Sequence, residues 1–543
     1  MPPLPQLSAA NEFFWTSGRD GVMRMQRSVE CGALVFPPQP ICPHCRSTNL
    51  EVVDVSGRGV VVGVTVNQHQ WLPEMAPPYV IALVALEEDD RVRLTTNVVG
   101  CDPESVFVGM RVEVRFEVHG DVWLPVFTPT ADSEPGPIPS DDPLRFQCRP
   151  MVSASKFEDR VAISGIGMSD IGRRLMRDPL SLTVEACLRA ISDAGLTPDD
   201  IDGLSTYPSG AAAGGHSEGG VAPVEFALRL RPTWISGAPD TPGQTGSIVN
   251  AMLAVASGLC RHVLCFRTVW ESTAQELARR GQMSEPGGRI DGDMQWRLPY
   301  GAMSAANWIA LNASLHMHRY GTTREAMGWI AITDRRHAGL NPNAIYRDPI
   351  SMDDYLGARM ITTPFGLFDC DVPCDGATAV IVSAIDVARD LAHPPVRVEA
   401  VGTQITEPLS WDQGTLEHEP MLAGPSAHLW SRTDLRPSDV DVALLYDGFS
   451  FNCLAWIEAL GFCGVGEGKD FVDGGLRIGL GGELPLNPHG GQLSAGRTHG
   501  YGFVHEAVTQ LRGAGEARQV PGAEVAVVST GGGAPGGCLL LTR

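Results

Sequence analysis

No apolar run in the 543-residue chain reaches the length that a bilayer-spanning helix needs. No block of Lys and Arg is present either. With 41 basic against 63 acidic residues the formal net charge is -22, which argues against nucleic acid as the main partner but leaves room for a local phosphate site. The opening residues, Met1-Pro2-Pro3-Leu4-Pro5, offer neither the basic nor the apolar segment of a secretory leader. With no export signal expected, the 13 cysteines read as free thiols in a reducing cytoplasm, several inside apolar stretches (Cys187, Cys260, Cys265). A hydrophobic share of 43% and a charged share of 19% describe a globular chain, long enough for two or three cores.

Three zones follow one another. The first divides into a helix and cysteine knuckle over 1–50 and a strand-rich stretch over 51–128. A helix is expected around Asn11–Arg19. Val60–Val66, Tyr79–Val84 and the alternating Arg111–Phe116 read as strands of a small barrel. The second zone, 129–158, is rich in Pro, Ser and Asp and predicts an extended tether. The third, 159–543, contains a distant repeat. Val161–Gly167 matches Val396–Gly402, and Leu196–Asp202 matches Leu435–Asp441, so two related α/β halves are expected at about 159–392 and 393–543. In the first half, Asp178-Pro179 predicts an N-cap followed by proline at the first helical position. Val184, Cys187, Leu188, Ile191 and Ala194 form an apolar stripe, and Gly195 stops the helix. Each half then carries a helix and an apolar strand: Ser247–Ser257 with Val263–Phe266, and Phe503–Arg512 with Val525–Val528.

In the knuckle, Cys31 is followed by Cys42-Pro43-His44-Cys45. A CxxC within such a turn points both thiolates to one side and suits tetrahedral zinc. Ser28 stands where a second CxxC would begin, so Glu30, His44 or water is left to complete a site on Cys31, Cys42 and Cys45; a vestigial, metal-free knuckle is the alternative. These residues, with Phe36-Pro37-Pro38, Ser56-Gly57-Arg58-Gly59, Pro78-Tyr79 and Val108-Gly109-Met110, resemble the small acyl-CoA-associated OB-fold proteins with a rubredoxin-like zinc ribbon. That resemblance implies a module that supports a thiolase-like partner.

The third zone is similar to the sterol-carrier/lipid-transfer branch of the thiolase superfamily. The similarity rests on the repeat, His337–Pro342, Cys374–Ala377, Tyr446–Phe449, Asn487–Gly491 and Gly531-Gly532-Gly533, in that order. It implies a duplicated five-layer α-β-α-β-α fold behind a zinc ribbon and OB-fold barrel. It also implies that the thiolase nucleophile falls at Gly243, a second cysteine at Ser529, a histidine at Arg497, and an asparagine-led oxyanion motif at Tyr446-Asp447-Gly448-Phe449. With those groups gone, thiolysis through an acyl-enzyme is not expected.

Retro-aldol cleavage of a β-hydroxyacyl-CoA needs only a base, an oxyanion hole and a proton for the enolate. Within the superfamily the steroid side-chain aldolases look most similar, which implies a carbon–carbon lyase working on a bulky acyl-CoA. A divergent acyltransferase and a silent lipid carrier are the alternatives. Tyr446 falls where such aldolases would carry one acid–base tyrosine; the other would fall at Arg497, leaving His499 or Tyr501 to take that role, with Asp447 as a candidate beside them. The bland readings are a core tyrosine at 446, a loop-holding His499, an orienting Asp447 and an ion-paired Arg497. Gly243, Gly490 and Gly491 line the site or serve backbone shape. Zinc is expected as a structural cofactor and CoA as part of the substrate. A homodimer is expected by resemblance, with a hydratase as a further partner.

Overall fold

The computed structural model describes all residues except 1, 133, 152–154, 208–216, 218–219, 239, 283–287, 419–421 and 532–535. The N-terminal piece is a three-stranded antiparallel sheet with Met23–Ser28 in the centre, flanked by Leu34–Val35 and Leu50–Val55. The helix expected over Asn11–Arg19 is only Glu12–Trp15, followed by a 3-10 turn at Ser17–Asp20. Packing explains the break. Phe14 and Trp15 are buried, and Trp15 stacks on Trp296 of the third zone at 4.9 Å between ring centres.

The barrel strands are Arg58–Asn67, Tyr79–Leu86, Arg93–Thr96, Arg111–His119 and Val122–Pro129. Arg111–His119 pairs with both Arg58–Asn67 and Val122–Pro129, which curls the sheet. The sheet does not end with its own zone. Met360–Thr362 and Phe365–Gly366, a hairpin from the third zone, add to the free edge of Arg58–Asn67. Thr65 Oγ1 lies 2.5 Å from Thr362 Oγ1, and the amide of Val66 donates to Thr363 Oγ1 at 2.8 Å. A local reading cannot foresee this, because the pairing joins residues nearly 300 positions apart.

The Ala305–Tyr320 helix crosses the same strand. Its close approach depends on Gly63, where a Cβ would sit 2.7 Å from the Leu311 carbonyl oxygen and 3.1 Å from Leu311 Cβ. Among its described residues the Pro-rich tether forms a 3-10 turn at Pro143–Phe146 and starts another at Glu158, yet it is firmly docked. Ile138 packs in the small core between barrel and helix. Arg145 pairs with Asp141 at 3.0 Å and with Glu417, and Arg319 holds both acids at 3.3 and 2.8 Å.

In the third zone two half-sheets run in the orders Trp234–Ser236, Gly203–Thr206, His262–Trp270, Asp375–Ala384, Val161–Met168 and Val396–Gly402, Gly537–Thr542, Val525–Thr530, Val442–Leu444. They touch through a short pairing of Val396 and Arg397 with Ile163 and Ala162. Strand alternation sorts the layers. Leu264 and Phe266 face the Pro179–Asp193 helix, while Val263 and Cys265 face the core shared with Gly246–Ala256. The Tyr501–Leu511 helix contacts strands of both halves, and Ala423–Trp430 covers Val396–Gly402 and Gly537–Thr542. The duplicated five-layer thiolase fold is therefore present behind the ribbon and barrel.

Asp178 caps Pro179–Asp193 by accepting from the Ser181 amide at 3.1 Å, and Gly195 has φ 74°. Leu188 departs from the expected stripe. It is exposed, and the buried face is Leu182, Ala186, Cys187, Ala190 and Ile191. Residues four apart drift around the helix, so Leu188 faces outward one position past that stripe.

Gly63→Ala should force the barrel strand off the Ala305–Tyr320 helix. A loss of about 1–3 kcal/mol is expected from overpacking, read as a lower urea midpoint. An unchanged midpoint would show that the contact is slack.

Candidate active site

Tyr446 follows the buried strand Val442–Leu444, and its amide donates to Ser529 Oγ at 3.0 Å. Its ring packs edge-on to Phe503, 6.2 Å between centres, and leans over Gly448, where a Cβ would lie 2.6 Å from Tyr446 Cε1. The side chain is 2% exposed. Asp447 turns the other way. Its two oxygens accept from the amides of Gln492 and Leu493 at 2.8 and 3.1 Å, so it orients the Gly490–His499 loop. Asp334 sits beside it in the same buried place. Burial and the neighbouring charge push Asp334 well above the usual carboxylate range, while Asp447 is raised to about 6 by burial, against the pull of its hydrogen bonds to Asp334 and the loop amides. Two carboxyl groups buried this close together disfavour ionisation of both. Gly491 can only be glycine: φ is 59°, and a Cβ would fall 2.0 Å from Asp447 Oδ2. Gly490 passes close over Ala338, where a Cβ would lie 2.5 Å from Ala338 Cβ.

Arg497 occupies the centre of this loop cluster. Nη1 contacts Glu271 Oε1 and Oε2 at 3.1 and 3.0 Å, Nε lies 3.2 Å from Asp371 Oδ2, and Nε donates to His499 Nε2 at 2.7 Å. The charges of Asp371 and Glu271 outweigh burial and hold the guanidinium above its ordinary range. His499 Nδ1 lies 2.8 Å from Nη2 of Arg267, a fully buried arginine on His262–Trp270. A neutral imidazole can accept from only one of these two donors. Burial and the two flanking cations keep the ring pKa well below normal, so His499 makes a poor proton acceptor. Tyr501 is fully buried, with its hydroxyl 2.7 Å from Ser247 Oγ at the start of Gly246–Ala256.

At Gly243, where the resemblance puts the thiolase nucleophile, there is no room for a side chain. Gly243 has φ 64°, just ahead of the Gly246–Ala256 helix, and a Cβ there would lie 2.2 Å from Thr530 Oγ1. Thr530 in turn contacts Thr245 Oγ1 at 2.9 Å. A threonine thus takes the volume that a side chain at 243 would need. Ser529 is committed to the Tyr446 amide. Cys374 donates to the Arg497 carbonyl at 3.3 Å, and burial pushes its pKa up. Gly532 and Gly533 of the last glycine motif lie outside the described residues; Gly531 accepts from Gln244 Nε2 at 2.7 Å.

Arg497 and His499 are in contact and Tyr446 is within electrostatic reach of Arg497, whereas Asp447 is bound to the loop amides and Tyr501 to Ser247. Sequence reasoning missed Arg267, Glu271 and Asp371. Asp371 had a signal: an acidic Phe368-Asp369-Cys370-Asp371 run directly before the Cys374–Ala377 motif. Arg267 and Glu271 carried none, since one sits inside an apolar strand and the other begins an ordinary amphipathic helix.

In the knuckle, the sulfurs of Cys31, Cys42 and Cys45 lie within 4.8 Å of one another. Ser28 Oγ lies 3.3 Å from Cys45 Sγ. Glu30 is engaged by Asn49, and His44 Nδ1 faces Arg91. Hydrogen bonds from the Cys45 and His44 amides lower the Cys42 thiol to about 7, against its burial. Thiolate character of that kind fits a soft divalent metal.

Three family profiles match: a rubredoxin-like zinc ribbon domain of ChsH2 over residues 15–51, the C-terminal OB-fold domain of ChsH2 over 52–117, and a thiolase C-terminal domain-like family over 421–536. The chain is 36% identical over 388 residues to a steroid side-chain-cleaving aldolase of Thermomonospora curvata, covering 70% of this chain and 97% of that one. It is 34% identical to a 17-hydroxy-3-oxo-4-pregnene-20-carboxyl-CoA lyase of Mycobacterium tuberculosis, covering 70% and 99%. Among solved structures, an Ltp2-ChsH2(DUF35) aldolase superposes with a TM-score of 0.62 at 33% identity, covering 71% of this chain and 98% of that one. An acetyl-CoA acetyltransferase of Syntrophomonas wolfei, 18% identical with a TM-score of 0.50, shares the fold.

Iodoacetamide at pH 7 should leave Cys374 and the buried Cys538 unmodified in the folded protein, as read by peptide mapping. Burial raises both thiols, and the thiolate is the reactive form. Rapid labelling of Cys374 would reveal an activated thiol beside Arg497.

Proposed function

The chain belongs to the steroid side-chain-cleaving aldolases of the thiolase superfamily, and on that premise we propose that it cleaves the Cα–Cβ bond of a bulky β-hydroxyacyl-CoA by a retro-aldol reaction without an acyl-enzyme. The carrying observation is the filled nucleophile position, where Thr530 Oγ1 occupies the space of a Gly243 side chain. The thioester named for the mycobacterial relative fits this chemistry. Its 17-hydroxyl is β to the thioester carbonyl, so cleavage between C17 and C20 yields a 17-ketone and propionyl-CoA.

Tyr446 exchanges the proton of the β-hydroxyl in this reading. Arg497 is within electrostatic reach of it. As the bond breaks, negative charge moves onto the thioester oxygen. The buried Arg267 and the part-buried Arg497, spaced by the neutral His499, form a preorganised wall for such charge. An enolate oxygen can also engage the N–H that His499 is unable to accept. Asp447, Gly490 and Gly491 hold the loop, and Tyr501 holds the Gly246–Ala256 helix end. CoA enters as part of the substrate.

The ribbon is proposed to hold a structural zinc on Cys31, Cys42 and Cys45, with Ser28 Oγ or water as the weak fourth ligand. The 13 cysteines are all free, which supports a reducing, cytoplasmic setting. A homodimer supplied by a hydratase remains part of the proposal.

Two measurements test these points. Tyr446→Phe keeps the ring, so the fold and KM should hold while kcat on the 17-hydroxy-pregnene-carboxyl-CoA thioester falls about 10²–10⁴-fold. Near-normal turnover would remove Tyr446 from the chemistry. Purified protein should carry close to one zinc per chain, and Ser28→Cys should tighten binding at least about tenfold by supplying a fourth thiolate. Zinc below a tenth of an equivalent, with no destabilisation by chelator, would mark the knuckle as vestigial.

A further inference from the structure

A retro-aldol reaction needs two proton sites: one beside the β-hydroxyl and another that returns a proton to Cα. Under the reading above Tyr446 is the first. The second is not supplied by the other candidates read from the sequence. Arg497 stays charged, and His499 resists protonation between two guanidiniums. Tyr501 is tied to Ser247 in the core, and Asp447 is committed to two loop amides.

Asp371 is placed differently. Its amide donates to the Gly448 carbonyl at 3.0 Å, inside the Tyr446–Phe449 turn. The next residue joins the opposite loop: Val372 donates to the Gln492 carbonyl at 3.0 Å and accepts from the Arg497 amide at 3.1 Å. Asp371 therefore forms the wall between the Tyr446 turn and the Arg497 loop. Its side chain is 10% exposed, beside Arg497 at 26% and Glu271 at 20%, whereas Asp447 and Asp334 are sealed. Of the acids near Tyr446, Asp371 and Glu271 are thus the ones a bound thioester can reach. They differ in pairing. Glu271 holds Nη1 of Arg497 with both oxygens, while Asp371 approaches an Nε that already donates to His499.

We propose that Asp371 is the acid that protonates Cα of the thioester enolate, with Arg497 and Glu271 fixing its carboxyl beside the reacting carbon. This rests on the aldolase reading. In the reactive form one proton is shared between Tyr446 and Asp371. The phenolate takes the β-hydroxyl proton, the Cα–Cβ electron pair moves into the enolate, the ketone departs, and the Asp371 carboxyl gives its proton to Cα. A proton passing from Tyr446 to Asp371 resets the site, so none is consumed. The surroundings suit the task. One guanidinium cannot offset two carboxylates, and burial together with the charges of Glu271 and Asp447 raises Asp371 to about 7 against the pull of Arg497. The remaining titratable groups beside it, Cys370 and Cys374, are thiols that burial raises and keeps neutral.

The reverse of the last step can be watched in isolation. Full-length protein with propionyl-CoA in D2O should exchange the α-protons, at a rate that rises with pH through about 7 as Asp371 ionises. Propionyl-CoA carries no β-hydroxyl, so this exchange reports on the Cα step alone. Asp371→Asn should lose it at least about 10²-fold and lose cleavage with it, while Asp371→Glu should recover part. Glu271→Gln removes a negative neighbour and should move the exchange profile to lower pH, a shift that a merely structural role would not produce. Wild-type exchange and cleavage in Asp371→Asn would overturn the assignment and leave the aldolase reading standing. Absence of both exchange and cleavage in the wild type would overturn the aldolase reading and the assignment together.

Discussion

The site depends on how one guanidinium is held. Arg497 brings a positive charge into a part-buried pocket, and such a charge persists only where partners offset its lost hydration. Glu271 and Asp371 supply that offset from two distant segments. The backbone adds to it: Val372 accepts the Arg497 amide, Cys374 donates its thiol to the Arg497 carbonyl, and the Glu271 amide donates to the Cys374 carbonyl. One residue thereby ties the first half's Glu271–Arg279 helix, the strand-leading segment 371–374 and the second half's glycine loop into a single wall. A substitution that neutralised Arg497 would leave two carboxylates facing each other, which is why its role exceeds any one contact.

Behind that wall lies a second charge problem. Asp447 and Asp334 are buried side by side, burial pushes both above the usual carboxylate range, and Asp447 caps the turn at Gln492 and Leu493. The bland reading of Asp447 as an orienting residue accords with this geometry. The glycines answer to the same packing, since any side chain at Gly491 would collide with the acid pair.

Much of the fold was legible because its signals are local. The Asp178-Pro179 cap, the paired strand–helix–strand segments of the two halves and the CxxC turn each encode their conformation within a few residues. The expectation that no nucleophile stands at 243 rests on an equally local fact, since a glycine offers no side chain. What could not be read is what depends on distant pairing. Thr530 filling the space above Gly243, Arg267 reaching His499, and Glu271 and Asp371 converging on Arg497 join residues between about 120 and 290 positions apart. Leu188 shows the same limit on a smaller scale: hydrophobic character alone did not say which side of the helix the sheet would cover.

The fusion of barrel and thiolase-like fold has a physical consequence at this wall. The hairpin Met360–Gly366 completes the barrel sheet, and the chain then turns through Leu367–Asp369. Asp369 is sealed in the core. It accepts from the Ser450 hydroxyl at 2.5 Å and the Gly366 amide at 2.8 Å, and it also holds Tyr355. Cys370 then bridges Phe449, and Asp371 follows at once. The segment that positions Asp371 is therefore clamped on one side by the barrel edge and on the other by the Tyr446–Phe449 turn. Loss of the barrel would expose the hairpin's edge partners and release one of the two clamps. A barrel carried on the same chain keeps that edge paired at every concentration of protein, because the strand and its partner cannot dissociate from one another.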